Sequence, residues 1–210
     1  DLRFGKEPIR APYLVNRAYF VACHNQAYVG QYDMLTPLKK GGIFLLNTLW
    51  SEEELEKELP ADMKRFLAEN EIRFYILDAV TAAEEIGLGS RINTICQSAF
   101  KLSNVMPVED AVTYMKEAIE HSYGDKGKEV VNMNFKAVDA GLDLVHKVEV
   151  PGSWAYATDD EPVIKEVPDF IADVVNVMNA QKGDTLPVST FADRADGTFP
   201  QGTSQYEKRG

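Results

Sequence analysis

An α/β fold is predicted: a Rossmann-like parallel sheet with flanking helices, followed by an extended C-terminal arm. Three observations carry it. Short, unbroken apolar runs recur before residue 80 with helical stretches between them; helical periodicity alone then continues to about residue 147; beyond Val150, prolines and glycines break up a stretch with one helical segment.

Ala18-Tyr19-Phe20-Val21-Ala22-Cys23 is aromatic and β-branched and ends in the polar pair His24-Asn25, as a buried strand of a parallel sheet does. Residues 27–38 then carry apolar side chains at helical spacing. After a Gly41-Gly42 turn, Ile43-Phe44-Leu45-Leu46-Asn47 reads as a second strand. Ser51 stands three residues before Glu54, the capping-box spacing in which each side chain satisfies the other's free backbone donor, so a helix starts there. Pro60 interrupts it, and 61–69 makes further helix. Ile72 to Asp78, apolar on both faces, is the third strand. Crossovers between parallel strands of this kind are right-handed.

From Ala79 the pattern predicts helices over 79–87, 91–103, 108–122 and 127–147. Gly87-Leu88-Gly89-Ser90 separates the first two, with Ser90 placed to cap the second, and Gly124 closes the third. In the fourth, Val131, Phe135, Val138, Leu142 and Val145 form one apolar stripe, read as core packing. Residues 1–150 thus form the α/β domain. In 151–210, Pro151-Gly152, Pro162, Pro168, Pro187 and Pro200 leave only Phe170 to Met178 with a helical period, so this part reads as an arm leaning on something larger.

The 33 acidic residues against 22 basic give a net charge of −11, which repels phosphate backbones, and no apolar run reaches the roughly 18 residues of a bilayer span. Neither nucleic acid nor membrane is expected as a partner. The two cysteines, Cys23 and Cys96, are too few for a disulfide scaffold and suit a reducing, cytoplasmic compartment. They are also too few for an iron–sulfur cluster or a Cys-only zinc site, each of which needs four thiolates. The chain opens on Asp1-Leu2-Arg3-Phe4-Gly5 rather than Met and reads as a piece of something longer.

Ligands bind outside the carboxyl ends of parallel strands, which marks His24, Asn25, Asn47 and Asp78; residues of these types also cap turns and helices, and the sequence leaves both readings open. Cys23 and His24 are adjacent on a strand and point to opposite faces, so they make no nucleophilic pair. His24, His121 and His146 lack metal-ligand spacing, and no GxGxxG, GxxxxGK[ST] or GxSxG motif is present. Gly87-Leu88-Gly89-Ser90-Arg91 is either an anion-binding turn or a plain link between helices. Arg3, Lys6 and Arg10 gather three cations around Phe4 and Gly5, a cluster able to hold a phosphate and stack an adenine, or simply to be solvated. Glu52-Glu53-Glu54 and Glu84-Glu85 read as solvated helix faces, and no residue is expected to act as general acid, base or nucleophile.

Several ordered motifs carry a resemblance. Arg3-Phe4-Gly5-Lys6-Glu7-Pro8-Ile9-Arg10, Val21-Ala22-Cys23-His24-Asn25, Tyr32-Asp33-Met34-Leu35, Gly41 to Asn47 and Gly89-Ser90-Arg91-Ile92-Asn93-Thr94 resemble the γ-type domain of pyruvate:ferredoxin (flavodoxin) oxidoreductase. Gly197-Thr198-Phe199-Pro200, Gly202-Thr203 and Tyr206-Glu207-Lys208-Arg209 resemble that family's EKR linker. The resemblance implies a homodimeric parent enzyme that decarboxylates pyruvate on thiamine diphosphate, passes electrons through [4Fe–4S] clusters to ferredoxin or flavodoxin, and forms acetyl-coenzyme A. It implies that the thiamine and cluster sites lie in other domains, with the domain's first strand and glycine-rich turn preceding Asp1. For this piece it implies coenzyme A contacts at Phe4, Gly5 and Lys6, with Arg3 or Arg10 on phosphate, then Arg91 and Asn93; the alternative is a packing module without a ligand site.

Overall fold

The computed structural model describes residues 7–10, 15–159 and 166–206. A four-stranded sheet organises it in the order β1 (Ala18–Cys23), β2 (Leu38–Asn47), β3 (Arg73–Leu77), β4 (His146–Val148). The first three strands run parallel, as the apolar runs predict, with Val21 level with Phe44 and Phe44 level with Phe74. β4 pairs antiparallel to β3 through Phe74 and Val148, which ends the predicted helix 127–147 early. Gly41 and Gly42 lie inside β2, where its register against β1 slips; a Cβ on Gly42 would stand 2.7 Å from the Lys39 carbonyl oxygen, so only glycine fits there.

Strand alternation divides the interior in two. Cys23, Phe44, Leu46 and Phe74 face one side, where α1 (Glu52–Glu58) and α2 (Ala61–Glu69) supply Leu55, Leu59, Met63 and Leu67. The capping box at Ser51 and Glu54 is formed, with both reciprocal bonds made. Leu45 and Leu77 face the other side, against α3 (Ala79–Ile86), α4 (Asn93–Ser98) and α6 (Lys128–Asp143); α5 (Val108–Tyr123) packs on α6.

Several elements depart from the sequence reading. The helix predicted over 27–38 reduces to a single 3₁₀ turn at Gln26–Tyr28, because Gly30 takes φ +70° and Asp33 closes a turn by accepting from the Thr36 N–H at 3.1 Å. The helix predicted over 91–103 starts at Asn93 and becomes 3₁₀ at Ala99–Ser103; Ile92, not Ser90, occupies its N-cap, with no side-chain cap. On α6 the fully buried positions are Asn134, Ala137, Val138 and Gly141, while Val131, Phe135 and Leu142 of the predicted stripe are half-buried and Val145 lies past the helix end. Small residues explain the rotation: a Cβ on Gly141 would stand 2.0 Å from Ser98 Oγ and 2.2 Å from the Ile95 carbonyl oxygen, so α4 and α6 meet backbone to backbone.

Past residue 150, Trp154 is 3% exposed and belongs to the α1/α2 core. Its indole N–H donates to Glu56, Arg65 donates to the Ala157 carbonyl, and the Asp159 carboxylate accepts from the Ala61 N–H at 2.7 Å. Residues 166–206 follow as short turns: a π-helical turn at Ile171–Val175 runs into α7 (Asn176–Asn179), then 3₁₀ turns at Gly183–Thr185, Val188–Arg194 and Thr203–Tyr206.

Candidate functional site

The parallel strands bring the sequence-marked polar residues to one edge. Asn47 is buried there and clamps the strand ends: its side-chain N–H donates to the His24 carbonyl at 3.0 Å, and its Oδ1 accepts from the Ala79 N–H at 2.9 Å. Asn25 accepts from the Ala27 N–H at 3.0 Å and Asp78 from the Thr81 N–H at 2.9 Å. For Asn25, Asn47 and Asp78 the capping reading therefore holds. Two residues that the sequence reading passed over complete this edge. The Gln26 Oε1 accepts from the Thr48 hydroxyl at 2.8 Å and from the Leu49 N–H at 2.9 Å, tying the loop after β1 to the end of β2. The signal for them was present: polar side chains immediately beyond two strand ends that the parallel pairing sets side by side.

Outside this edge lies a cleft of about 480 Å³ lined by His24, Gln26, Asn47, Thr48, Leu49 and Ser90 among others. It presents an exposed imidazole, amides and hydroxyls, and its lining contains no carboxylate. Such a surface can donate to and accept from an uncharged polar ligand and does not repel an anion. Arg91 and Asn93, both exposed, alternate in sequence with Ser90 and Ile92 of this lining. Their neighbour Thr94 turns inward, its hydroxyl donating at 3.1 Å to Oδ1 of the buried Asn134, which itself donates to the Val130 carbonyl at 2.9 Å. Part of the Arg-Ile-Asn-Thr motif thus fixes α4 to α6. Arg10 is exposed, and Arg3, Phe4, Gly5 and Lys6 lie outside the described residues.

The two cysteines stand on opposite faces of the sheet, Cys23 with the α1/α2 core and Cys96 with the α3/α4/α6 core, so they cannot share a ligand. Burial raises both thiols, Cys96 to about 11; the Cys23 S–H donates to the Asn25 carbonyl oxygen at 3.1 Å, which only partly offsets the effect of burial. Neither is activated. The residues therefore do not fit an iron–sulfur centre, and among the described residues no group of three or more His, Cys, Asp and Glu side chains could hold a metal ion. Glu52, Glu53, Glu54, Glu84 and Glu85 are exposed, and the backbone N–H and hydroxyl of Ser51 hold the Glu54 carboxyl below its ordinary range. No described helix is long and apolar enough to cross a membrane.

Three parallel strands and an antiparallel fourth, with helices on both faces and a polar cleft outside the parallel strand ends, define an α/β domain. Comparison with known proteins narrows this. Residues 1–144 match the family model for pyruvate ferredoxin/flavodoxin oxidoreductase, and residues 157–210 match EKR, a domain of unknown function. The chain belongs to the pyruvate ferredoxin/flavodoxin oxidoreductase family. It is 53% identical over its whole length to pyruvate:ferredoxin oxidoreductase of Moorella thermoacetica and 51% identical to pyruvate-flavodoxin oxidoreductase of Enterobacter agglomerans. It spans 18% of the length of each of these relatives. Over 99% of its length it is 44% identical to the mitochondrial NADP(+) pyruvate dehydrogenase of Euglena gracilis, covering 12% of that protein. A crystal structure of pyruvate oxidoreductase subunit PORC from Thermotoga maritima shares the fold, with a TM-score of 0.51 at 19% identity over 64% of this chain and 67% of that one.

Proposed function

We propose that the chain is the γ-type portion of a pyruvate:ferredoxin (flavodoxin) oxidoreductase and contributes coenzyme A binding and subunit packing to it. The parent enzyme decarboxylates pyruvate on thiamine diphosphate, passes electrons through [4Fe–4S] clusters to ferredoxin or flavodoxin, and releases acetyl-coenzyme A in the cytoplasm as a homodimer. The observation that carries this reading is identity above 50% along the whole chain to two oxidoreductases of this name. The redox and decarboxylation centres belong to the rest of the polypeptide, since two buried thiols on opposite sheet faces supply no cluster ligands.

In this reading Arg3 and Lys6 meet the phosphates of coenzyme A, Phe4 faces the adenine, Gly5 lets backbone approach, and Arg10 adds a further cation. Arg91 and Asn93 contribute second, beside a cleft whose lining carries no carboxylate to oppose an anionic ligand. In the parent enzyme, Lys6→Ala and Arg3→Ala should each raise the KM for coenzyme A about tenfold, the loss of one charge-assisted bond, and leave the KM for pyruvate unchanged. Unchanged coenzyme A kinetics in both variants would leave a packing module instead. One observation favours that second reading for the helix motif: Thr94 spends its hydroxyl on Asn134.

A further inference from the structure

The segment that matches EKR returns to the body at the end of α7. The helix closes as a Schellman turn: the Gln181 N–H donates to the Met178 carbonyl at 2.9 Å and the Lys182 N–H to the Val177 carbonyl at 3.0 Å, with Gln181 in the left-handed region at φ +59°. That position ordinarily takes glycine, which has no Cβ to strain it. Here it carries a long amide side chain, and such strain persists where the surrounding structure uses the residue. Two clefts show where. One of about 500 Å³ sets Gln181 with His24, Tyr28, Tyr32 and Asp33; its neighbour, about 340 Å³, sets Ala180 and Lys182 with Tyr32, Asp33, Asp62 and Phe66. The second cleft brings one ammonium to two carboxylates, Asp33 of the loop after β1 and Asp62 of α2. Burial alone would raise the Asp33 carboxyl; the Thr36 hydroxyl and N–H, the Leu35 N–H and the Lys182 charge hold it below its ordinary range.

We propose that the EKR segment, through Gln181 and Lys182, braces the loop between β1 and β2 and thereby fixes the strand-end cleft that His24 and Gln26 line. The path is contiguous. Gln181 shares its cleft with Tyr28 and Tyr32, whose rings stand edge to face at 5.4 Å; Tyr28 closes the 3₁₀ turn that begins at Gln26; and Gln26 holds the Leu49 N–H at the end of β2. No described residue after Lys182 is buried, so the brace ends there and the rest of the segment is left to other contacts. The inference requires no particular ligand in the cleft; the coenzyme A kinetics above and the exchange measurements below can fail separately.

In the parent polypeptide, Gln181→Gly should leave α7 intact, because glycine suits φ +59°, and yet make the Thr36 and Leu49 amides exchange hydrogen about tenfold faster. Both amides report the braced region, Thr36 through its bond to Asp33 and Leu49 through its bond to Gln26. Lys182→Glu, which sets a like charge against Asp33 and Asp62, should quicken the same two amides and leave those of α6 unchanged. Unchanged exchange at both amides in the two variants would overturn the proposal. So would faster exchange spread evenly through α4 and α6, which is general loosening, or faster exchange at Thr36 alone, which ends the brace short of the cleft.

Discussion

Residues 15–159 and residues 166–206 are built on opposite plans. The first region has two apolar cores on either side of a sheet, with Phe44, Phe74, Leu46 and Leu67 fully buried; the second has only Ile171 and Val174 buried among its described residues, while Val188 is 91% exposed. Both contain aromatic residues. The first buries Phe44 stacked on Phe74 with ring centroids 5.6 Å apart, whereas the second sets Phe170 edge-on to a half-exposed Phe199 at 5.3 Å, with Arg194 over the Phe170 ring. What separates them is periodicity long enough to present a continuous apolar face, not apolar content. A stretch interrupted by Pro168, Pro187 and Pro200 makes single turns, and single turns cannot enclose a core.

Trp154 is the sharpest place to break this comparison, because it follows Pro151-Gly152 in a stretch that the sequence assigns to the arm, yet it packs with the body. Trp154→Ala should cost about 3–5 kcal/mol in urea unfolding, as for a core aromatic. A midpoint unchanged from the parent sequence would return residues 151–159 to the arm. Gly141→Ala comes next: its methyl must push α4 from α6, at a cost of about 1–3 kcal/mol. Phe135→Ala, on the half-buried flank of α6 beneath Lys116, should cost less than the roughly 3–5 kcal/mol of a fully buried ring. In the arm, Phe199→Ala should cost no more than about 1 kcal/mol, the worth of one edge-to-face pair. Limited proteolysis should cut between Gly183 and Arg209 before it cuts the body; earlier cleavage within residues 15–150 would reverse the ranking.

Two smaller effects test the body's chemistry. With both thiols raised by burial, native Cys23 and Cys96 should react with a disulfide reagent at pH 8 only as fast as the chain unfolds, and a rapid stoichiometric reaction would contradict the packing on both faces. The Glu54 carboxyl is lowered in the folded state, first by the Ser51 N–H, so its contribution is present above the unfolded carboxylate pKa of about 4.3 and is lost as pH falls through the folded value. Glu54→Gln should therefore narrow the stability difference between pH 6 and pH 3, with little change in melting temperature at pH 3.

Local chemistry alone determined much of this molecule. The runs at 18–23, 43–47 and 72–77 are apolar on both faces and can be stable only inside a sheet; Ser51 and Glu54 form their reciprocal cap within four residues; Asn25 and Asp78 cap the turns that follow them. Other features had no local signal, because their stability comes from partners distant in sequence. β4 is three residues long and exists because Val148 finds Phe74, so its segment read as the end of a helix. Gly141 looks like a weak spot in a helix until Ser98 and Ile95 are brought against it. Asn47 could have faced a ligand or a backbone, and only the parallel pairing of β1, β2 and β3 sets His24 and Ala79 within its reach. Burial is a property of the assembled chain: periodicity places apolar residues on a face, and tertiary contact decides which face is covered and which, as along β1 and α5 among the described residues, is left open.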